Sequence, residues 1–215
     1  VFDMTAQLYA VSGLEKVFLD QQPPACSRRL SMLKKDQLSY QLAFRLEAPE
    51  NEMWGRMVKV EVVSPLEKWV ELAVVRSVPV QNAANDASDG NYLRTAPGLY
   101  PDLLEPLDSG DEVRLAPRCW YAFWIQIRSE ADTPTGKFPL AVAVSFQDGT
   151  ETREYRSETQ IEVIDALLPD QKLIFTQWFH GDCLADYYHV EVFSEAHWAL
   201  LRGQIAAAAK YGVNM

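Results

Sequence analysis

Three side chains in the last quarter of the chain have types that suit contact with a polar ligand: Trp178, His180 and Asp182. An imidazole and a carboxylate two residues apart can exchange hydrogen bonds with hydroxyl groups, and an indole ring can stack on an apolar surface. All three lie at or just after the end of the apolar run Leu173–Phe179, which has the composition of a buried strand. They are therefore candidates for a ligand-binding site.

Each candidate also has a structural interpretation. His180 can cap a local turn, and Asp182 can accept backbone N–H bonds at the start of the next segment. Trp178 can belong to an apolar core. A metal site made of His180, Asp182 and His189 is possible by residue type, but the sequence around them offers no further ligands. We therefore assign no catalytic residue, no metal site and no cofactor to this chain.

A helix follows the candidate residues and has clear signals at both ends. Ser194 is an N-cap and Glu195 stands at the positive end of the helix dipole. Lys210 falls in the last turn and Gly212 at the position that favours a left-handed residue. These signals predict a helix over Glu195–Tyr211. Its apolar stripe is formed by Trp198, Leu201, Ile205 and Ala208 or Ala209. His197 is expected to face solvent or the preceding turn.

The residues after the helix, Val213–Met215, read as the start of a second strand. Strand, turn, helix and strand make a βαβ unit, whose parallel strands need neighbours and helices on both faces. One such unit cannot bury itself. We expect Leu173–Phe179 to be buried, either on the rest of the chain or against a second copy of it, unless a parallel domain continues past Met215.

Residues 1–168 alternate apolar and polar side chains with the period of strands that have one buried face. The alternation is clearest in Leu38–Leu46, Val58–Val62, Trp69–Val80, Tyr121–Ile127, Leu140–Phe146 and Ile161–Ile164. Asp148-Gly149 predicts a tight hairpin turn. The pattern predicts a mainly β fold, an antiparallel β-sandwich of immunoglobulin-like or galactose-binding-like type. We place the boundary at Leu168-Pro169, which gives domains 1–168 and 169–215.

The stretch from Gln81 to Ala116 reads as one long loop that packs on the sandwich, because it combines turn residues with several aromatic and apolar ones. Trp120 and Trp124 share one face of their predicted strand. They could form a platform for stacking on a sugar, but we expect this loop to cover them.

Charge and composition limit the partners. The net charge of −10 and the lack of a basic stripe disfavour nucleic acid and anionic membranes as partners. The sequence contains neither a run of about 18 apolar residues nor a signal-peptide pattern, so we expect a cytoplasmic protein, or a secreted one if a leader was removed before Val1. Three cysteines without paired spacing predict thiols, not disulfides or zinc ligands.

Several motifs resemble glycoside hydrolase family 123 and its sibling group, the domain of unknown function 4091. The most specific are Trp178-Phe179-His180-Gly181-Asp182-Cys183 and Val192-Phe193-Ser194-Glu195-Ala196-His197-Trp198. Weaker matches are Leu99–Leu104, Phe123–Ile127, Thr135–Phe138 and Leu168–Gln171.

The resemblance implies an N-terminal β-sandwich followed by a (β/α)8 barrel, and hydrolysis of terminal β-linked N-acetylgalactosamine. In that family the substrate's 2-acetamido group attacks the anomeric carbon, while an adjacent Asp-Glu pair orients the amide and protonates the leaving oxygen. No adjacent Asp-Glu pair occurs in residues 169–215, and Asp111-Glu112 does not match the motif.

We therefore expect this chain to be the N-terminal part of a glycosidase that acts on carbohydrate with a terminal N-acetylhexosamine. Its last residues would be the first βα unit of a truncated barrel, and the chain alone would be inactive. Trp178, His180 and Asp182 would then contact substrate on the face where barrel enzymes build their sites. The alternative is a non-catalytic β-sandwich module that binds carbohydrate or protein.

Overall fold

The computed structural model describes residues 4–26, 29–84, 90–170 and 172–214. The chain divides into two compact units, Val1–Leu168 and Pro169–Met215. Strands account for 49% of the described residues and helices for 13%, so the protein is mainly β. Both α-helices of the described residues lie in the second unit.

The first unit consists of two five-stranded sheets. Its strands are β1 (Thr5–Ser12), β2 (Arg29–Lys34), β3 (Gln37–Glu47), β4 (Arg56–Val63), β5 (Val70–Val80), β6 (Gly98–Leu107), β7 (Glu112–Leu115), β8 (Trp120–Arg128), β9 (Gly136–Asp148) and β10 (Glu151–Leu167). The second unit contains α1 (Asp182–Tyr188) and α2 (Glu195–Lys210).

The strand order is β1-β3-β8-β5-β6 in the first sheet and β2-β10-β9-β4-β7 in the second. Every pair in the first sheet is antiparallel. The prediction of a wholly antiparallel fold is wrong for the second sheet, because β2 pairs with β10 in parallel. These two strands are far apart in sequence, so no tight hairpin dictates their direction.

The two sheets share one hydrophobic core, which is the packing that a β-sandwich requires. Alternate residues of the predicted strands supply it, among them Leu42, Phe44 and Ile125 from the first sheet and Val60, Val142 and Ile161 from the second. All six side chains are fully buried. Each contributes about 1.5–3 kcal/mol of transfer free energy on burial, so this alternation dominates the stability of the unit.

The outer face of the first sheet carries a second, smaller cluster around Trp120, whose side chain is 2% exposed. Val17 lies in this cluster, and the backbone N–H of Trp120 donates to the backbone carbonyl of Leu19 at 2.8 Å. The connection from β1 to β2 therefore covers Trp120, in place of the predicted cover by residues 81–116. Trp120 is covered, as expected, and a buried indole cannot stack on a sugar, so the alternative of a stacking platform does not hold at Trp120.

Much of the predicted long loop forms strands. β6 and β7 lie within residues 81–116, while residues 85–89 fall outside the described part. β6 is an edge strand of the first sheet, which explains how it accommodates Pro101 and Pro106: an edge strand can lack donors on its open side. The expectation of one long loop is therefore wrong for β6 and β7.

Residues 90–102 also contact the connection that covers Trp120. The ring of Tyr100 packs edge-on against Phe18, with 5.5 Å between the ring centroids. The Arg94 guanidinium lies 3.7 Å from the Phe18 ring centroid and pairs with the Asp20 carboxylate. The hydrogen bond from Arg94 lowers the pKa of Asp20. These contacts join two irregular segments on the same outer face.

A buried tyrosine between the sheets, Tyr40, should make the free energy of unfolding decrease at alkaline pH. Burial raises the pKa of Tyr40 from 10.0 to about 12. Above pH 10 the unfolded chain gives up this proton while the folded chain keeps it, so the unfolding free energy falls as pH rises. We expect the loss to be about 1.4 kcal/mol per pH unit between pH 10 and 12. It should be absent from Tyr40→Phe.

Urea unfolding of both proteins at pH 9, 10 and 11 measures this difference. Tyr92→Phe is the control, because Tyr92 is exposed. Parallel pH dependences for the wild type and Tyr40→Phe would contradict the assignment.

Candidate functional site

Within the described residues of the second unit there is one point of strand pairing, between the two segments predicted as parallel strands. Thr176 and Asn214 form a parallel bridge. The Gln177 N–H donates to the Asn214 carbonyl at 3.1 Å, and the Asn214 N–H donates to the Phe175 carbonyl at 2.7 Å. The Asn214 side-chain oxygen accepts from the Phe175 N–H at 3.0 Å. Parallel pairing across an intervening helix is the arrangement of a βαβ unit.

Within the second unit the predicted strand Leu173–Phe179 is not buried. Its large apolar side chains are exposed, and Ile174 is 77% exposed. Apart from the bridge at Thr176, the segment has no regular strand structure. A parallel strand becomes regular and buried only when it has hydrogen-bonded neighbours on both edges and apolar cover on both faces. Among the described residues it pairs on one edge only.

α2 begins and ends as predicted to within one residue. The Ser194 side chain accepts the N–H of His197 at 3.2 Å, and Gly212 adopts a positive φ of 72°. The cap satisfies one of the donors that the first turn leaves open. The predicted apolar stripe is only partly buried: Leu201 is buried, whereas Trp198 and Ile205 keep substantial exposure.

α1 is an element of the second unit that the sequence does not predict. It is a seven-residue helix that begins at Asp182 and ends with His189 in the left-handed conformation at φ 53°. His189 thus terminates a helix. The described residues contain no cluster of three or more potential metal ligands.

The three predicted site residues lie at the junction between the extended segment and α1, and all three side chains are exposed. Trp178 is 94% exposed, so its side chain is not in a core here. The His180 Nδ1 lies 4.0 Å from the Asp182 Oδ1, which is too long for a hydrogen bond. Among the described residues neither side chain caps α1. The imidazole of His180 and the carboxylate of Asp182 therefore face solvent and can form hydrogen bonds with a ligand.

His197 is a residue of this region whose position the sequence did not reveal. Its side chain is 1% exposed and faces the turn before the helix, which is the second of the two expected orientations. The Nδ1 accepts the N–H of Phe193 at 2.9 Å, and the Nε2 lies 2.7 Å from the Gly181 carbonyl oxygen. His197 thus links the first turn of α2 to the peptide between His180 and Asp182.

Gly181 is packed closely against α2. A Cβ atom at this position would lie 2.8 Å from the Leu201 Cδ2, closer than side chains normally approach. Because Leu201 is itself buried, a larger residue at 181 would push the junction away from the helix. The close approach and the His197 contact together fix the backbone that carries His180 and Asp182.

An open apolar groove of about 480 Å³ runs along the second unit. Phe179, Leu201, Ile205 and Val213 line it, with Asn214 at the strand bridge. Outside the groove, Leu173 and Ile174 are exposed apolar side chains of the same unit, and exposed apolar groups of this number indicate an interaction surface. We call it the apolar face of the second unit.

Other features of the described residues bear on function. The Asp111 carboxylate accepts the N–H of Asp108 at 2.9 Å in the turn before β7, which is a structural role for the Asp-Glu pair. None of the helices in the described residues is both long and apolar enough to cross a membrane.

Comparison with known proteins gives one family. The sequence profile described as glycoside hydrolase 123, catalytic domain matches residues 178–215. None of the curated proteins matches the sequence significantly. The chain therefore resembles glycoside hydrolase family 123, and the match falls on the unit that contains the candidate site.

Among solved structures, a family 123 glycoside hydrolase from Clostridium perfringens, studied for glycolipid glycan hydrolysis, has a TM-score of 0.76 at 15% identity over 97% of this chain. The chain spans 37% of that structure. A CooA pilin subunit of enterotoxigenic Escherichia coli has a TM-score of 0.35 at 9% identity, covering 75% of this chain and 99% of the pilin. A DUF4466 family protein from Parabacteroides merdae has a TM-score of 0.36 at 9% identity, covering 73% of this chain and 44% of that protein. These last two scores are too low to support an argument.

Proposed function

We propose that this chain is the N-terminal part of a glycosidase of the family 123 type: a β-sandwich, residues 1–168, followed by the first βα unit of a (β/α)8 barrel, residues 169–215. The main observation in support is the parallel bridge between Thr176, which precedes the two helices in the sequence, and Asn214, which follows them. The profile of the family's catalytic domain matches this same unit, which supports the proposal independently.

In a barrel, the residues that directly follow a strand lie on the face where active sites form. His180 and Asp182 follow the paired segment directly, and Trp178 lies at its end. We propose that Asp182 accepts hydrogen bonds from sugar hydroxyls, that His180 donates or accepts one, and that the exposed indole of Trp178 stacks on the apolar face of a sugar ring.

The proposed substrate is a glycan with a terminal N-acetylhexosamine, and the proposed reaction retains the anomeric configuration. The acetamido oxygen forms a bond to the anomeric carbon as the bond to the leaving oxygen breaks. An acid protonates that oxygen, and water then opens the cyclic intermediate. Residues 169–215 contain no adjacent Asp-Glu pair to supply the acid and orient the amide. This chain alone is therefore proposed to be inactive.

Assay of p-nitrophenyl β-N-acetylgalactosaminide tests the proposed reaction. The 215-residue chain should release no nitrophenol, whereas a protein that carries it with further barrel segments should. In that longer protein, His180→Ala and Asp182→Asn should lower kcat/KM by about 10- to 100-fold, because each removes a hydrogen bond to substrate.

Asp132→Asn is the matched control, because this exposed carboxylate lies in the first unit. Absence of hydrolysis by the longer protein, on both β-N-acetylgalactosaminide and β-N-acetylglucosaminide, would refute the proposed function. Full activity of both site variants would refute the assignment of these residues.

The apolar face of the second unit is proposed to be the surface on which the neighbouring barrel elements pack. In the isolated chain it should instead promote self-association, because an exposed apolar strand edge recruits another chain. Sedimentation equilibrium should show a concentration-dependent dimer at concentrations below about 1 mM.

Ile174→Lys should abolish this dimer, because it places a charge on the apolar face. Leu14→Lys is the control, since Leu14 is also highly exposed but lies in the first unit. A chain that stays monomeric over this range, or a dimer that Ile174→Lys leaves intact, would contradict the prediction.

A second candidate function, carbohydrate binding by the sandwich itself, is favoured by one surface feature. Trp54 is 77% exposed beside an open groove of about 810 Å³ on the second sheet. Arg56, Arg114 and Glu61 line the same groove, so donors and acceptors surround the indole. An exposed aromatic ring among balanced charges suits a neutral sugar.

A glycan array followed by calorimetry on the best ligand tests this alternative. Trp54→Ala should weaken binding about tenfold, because the stacking surface is lost. Met53→Ala is the matched control, since Met53 is equally exposed next to Trp54 but does not line the groove. An array without any bound glycan would remove this candidate function.

A further inference from the structure

The hydrogen bonds of His197 determine which of its ring nitrogens carries the proton. The Nδ1 lies 2.9 Å from the Phe193 nitrogen, whose N–H donates to it, so this ring nitrogen must be unprotonated. The Nε2 lies 2.7 Å from the Gly181 carbonyl oxygen, which only accepts, so the Nε2 must carry the proton. The buried ring is therefore the neutral Nε2–H tautomer.

The Phe193 bond has a local role. Phe193 adopts a positive φ of 62°, a conformation that costs a residue other than glycine about 1 kcal/mol. The bond from its N–H to the His197 Nδ1 helps to hold this conformation directly before the N-cap of α2. This contact belongs to the start of the helix.

The Gly181 bond has a different consequence, because it reaches across 16 residues to the junction. The carbonyl that accepts it belongs to the residue between His180 and Asp182 and also accepts the N–H of Leu184 at 3.1 Å in the first turn of α1. His180 and Asp182 are too far apart to orient each other. Their directions are therefore set by the backbone that Gly181 carries.

We propose that His197 is a positioning residue for the candidate site: its Nε2–H holds the Gly181 carbonyl and so orients His180 and Asp182 toward substrate. The inference rests on the proposed function for its kinetic consequence. The structural part of the proposal does not depend on that function: the Nε2 holds the Gly181 carbonyl, and the Nδ1 holds the Phe193 N–H before α2.

Two conservative variants separate the roles of the two nitrogens. The amide of a glutamine can reach the position of the Nε2, so His197→Gln retains a donor for the Gly181 carbonyl. The amide of an asparagine reaches only the position of the Nδ1, so His197→Asn retains an acceptor for the Phe193 N–H and loses the contact with Gly181.

The first measurement uses the 215-residue chain and nuclear magnetic resonance. Long-range ¹H–¹⁵N spectra of His197 should show the neutral Nε2–H tautomer. The amide resonances of His180 and Asp182 should stay close to their wild-type positions in His197→Gln and move in His197→Asn. An Nδ1–H tautomer, or equal displacement of these amides in both variants, would overturn the proposal.

The second measurement uses the longer protein with p-nitrophenyl β-N-acetylgalactosaminide. His197→Asn should lower kcat/KM by about 10- to 100-fold, because small displacements of substrate-contacting groups are costly. His197→Gln should recover most of that loss. If the two variants lose equal activity and equal thermal stability, His197 serves only folding and the proposal fails.

The two measurements separate this proposal from the proposed function. A longer protein that does not hydrolyse the substrate would refute the function, while the amide resonances of the 215-residue chain would still decide whether His197 orients the junction.

Discussion

The second unit depends on one constraint: a parallel strand needs hydrogen-bonded neighbours on both edges and apolar cover on both faces. In the described residues the segment around Thr176 meets this requirement at one point only, the bridge to Asn214. The exposure of Ile174 and the open groove beside Leu201 and Ile205 follow from the same shortfall. The capped helix α2 therefore stabilises the unit more than strand pairing does. This explains why α2 is regular while the extended segment is not.

The first unit shows the opposite situation, because its strands complete one another. Both sheets contribute to a single core, and the connection from β1 to β2 covers Trp120 on the outer face. Buried aromatic residues such as Tyr40 and Phe44 lie in that core and not in a ligand site. The proposed substrate contacts lie in the second unit, and the surface around Trp54 is the part of the first unit for which carbohydrate binding is proposed.

Local signals explain which elements could be predicted. The bounds of α2 follow from Ser194 and Gly212, and the central strands follow from strict alternation, because both depend on neighbouring residues. β6 was missed because Pro101 and Pro106 are tolerated only at an edge, which the sequence does not reveal. The candidate residues His180 and Asp182 were proposed from their place after an apolar run. His197 was not, because its partner Gly181 is brought to it only by the fold.

The most direct test of the barrel assignment is hydrogen exchange at individual backbone amides of the paired segment. The amides of Phe175 and Gln177 point to Asn214, whereas within the described residues those of Thr176 and Trp178 make no hydrogen bond. In a closed barrel, alternate amides of one strand point to opposite neighbours. In a protein that carries the remaining barrel segments, Thr176 and Trp178 should therefore become as protected as Gln177. If both still exchange at the rate of the 215-residue chain, the segment is not a barrel strand.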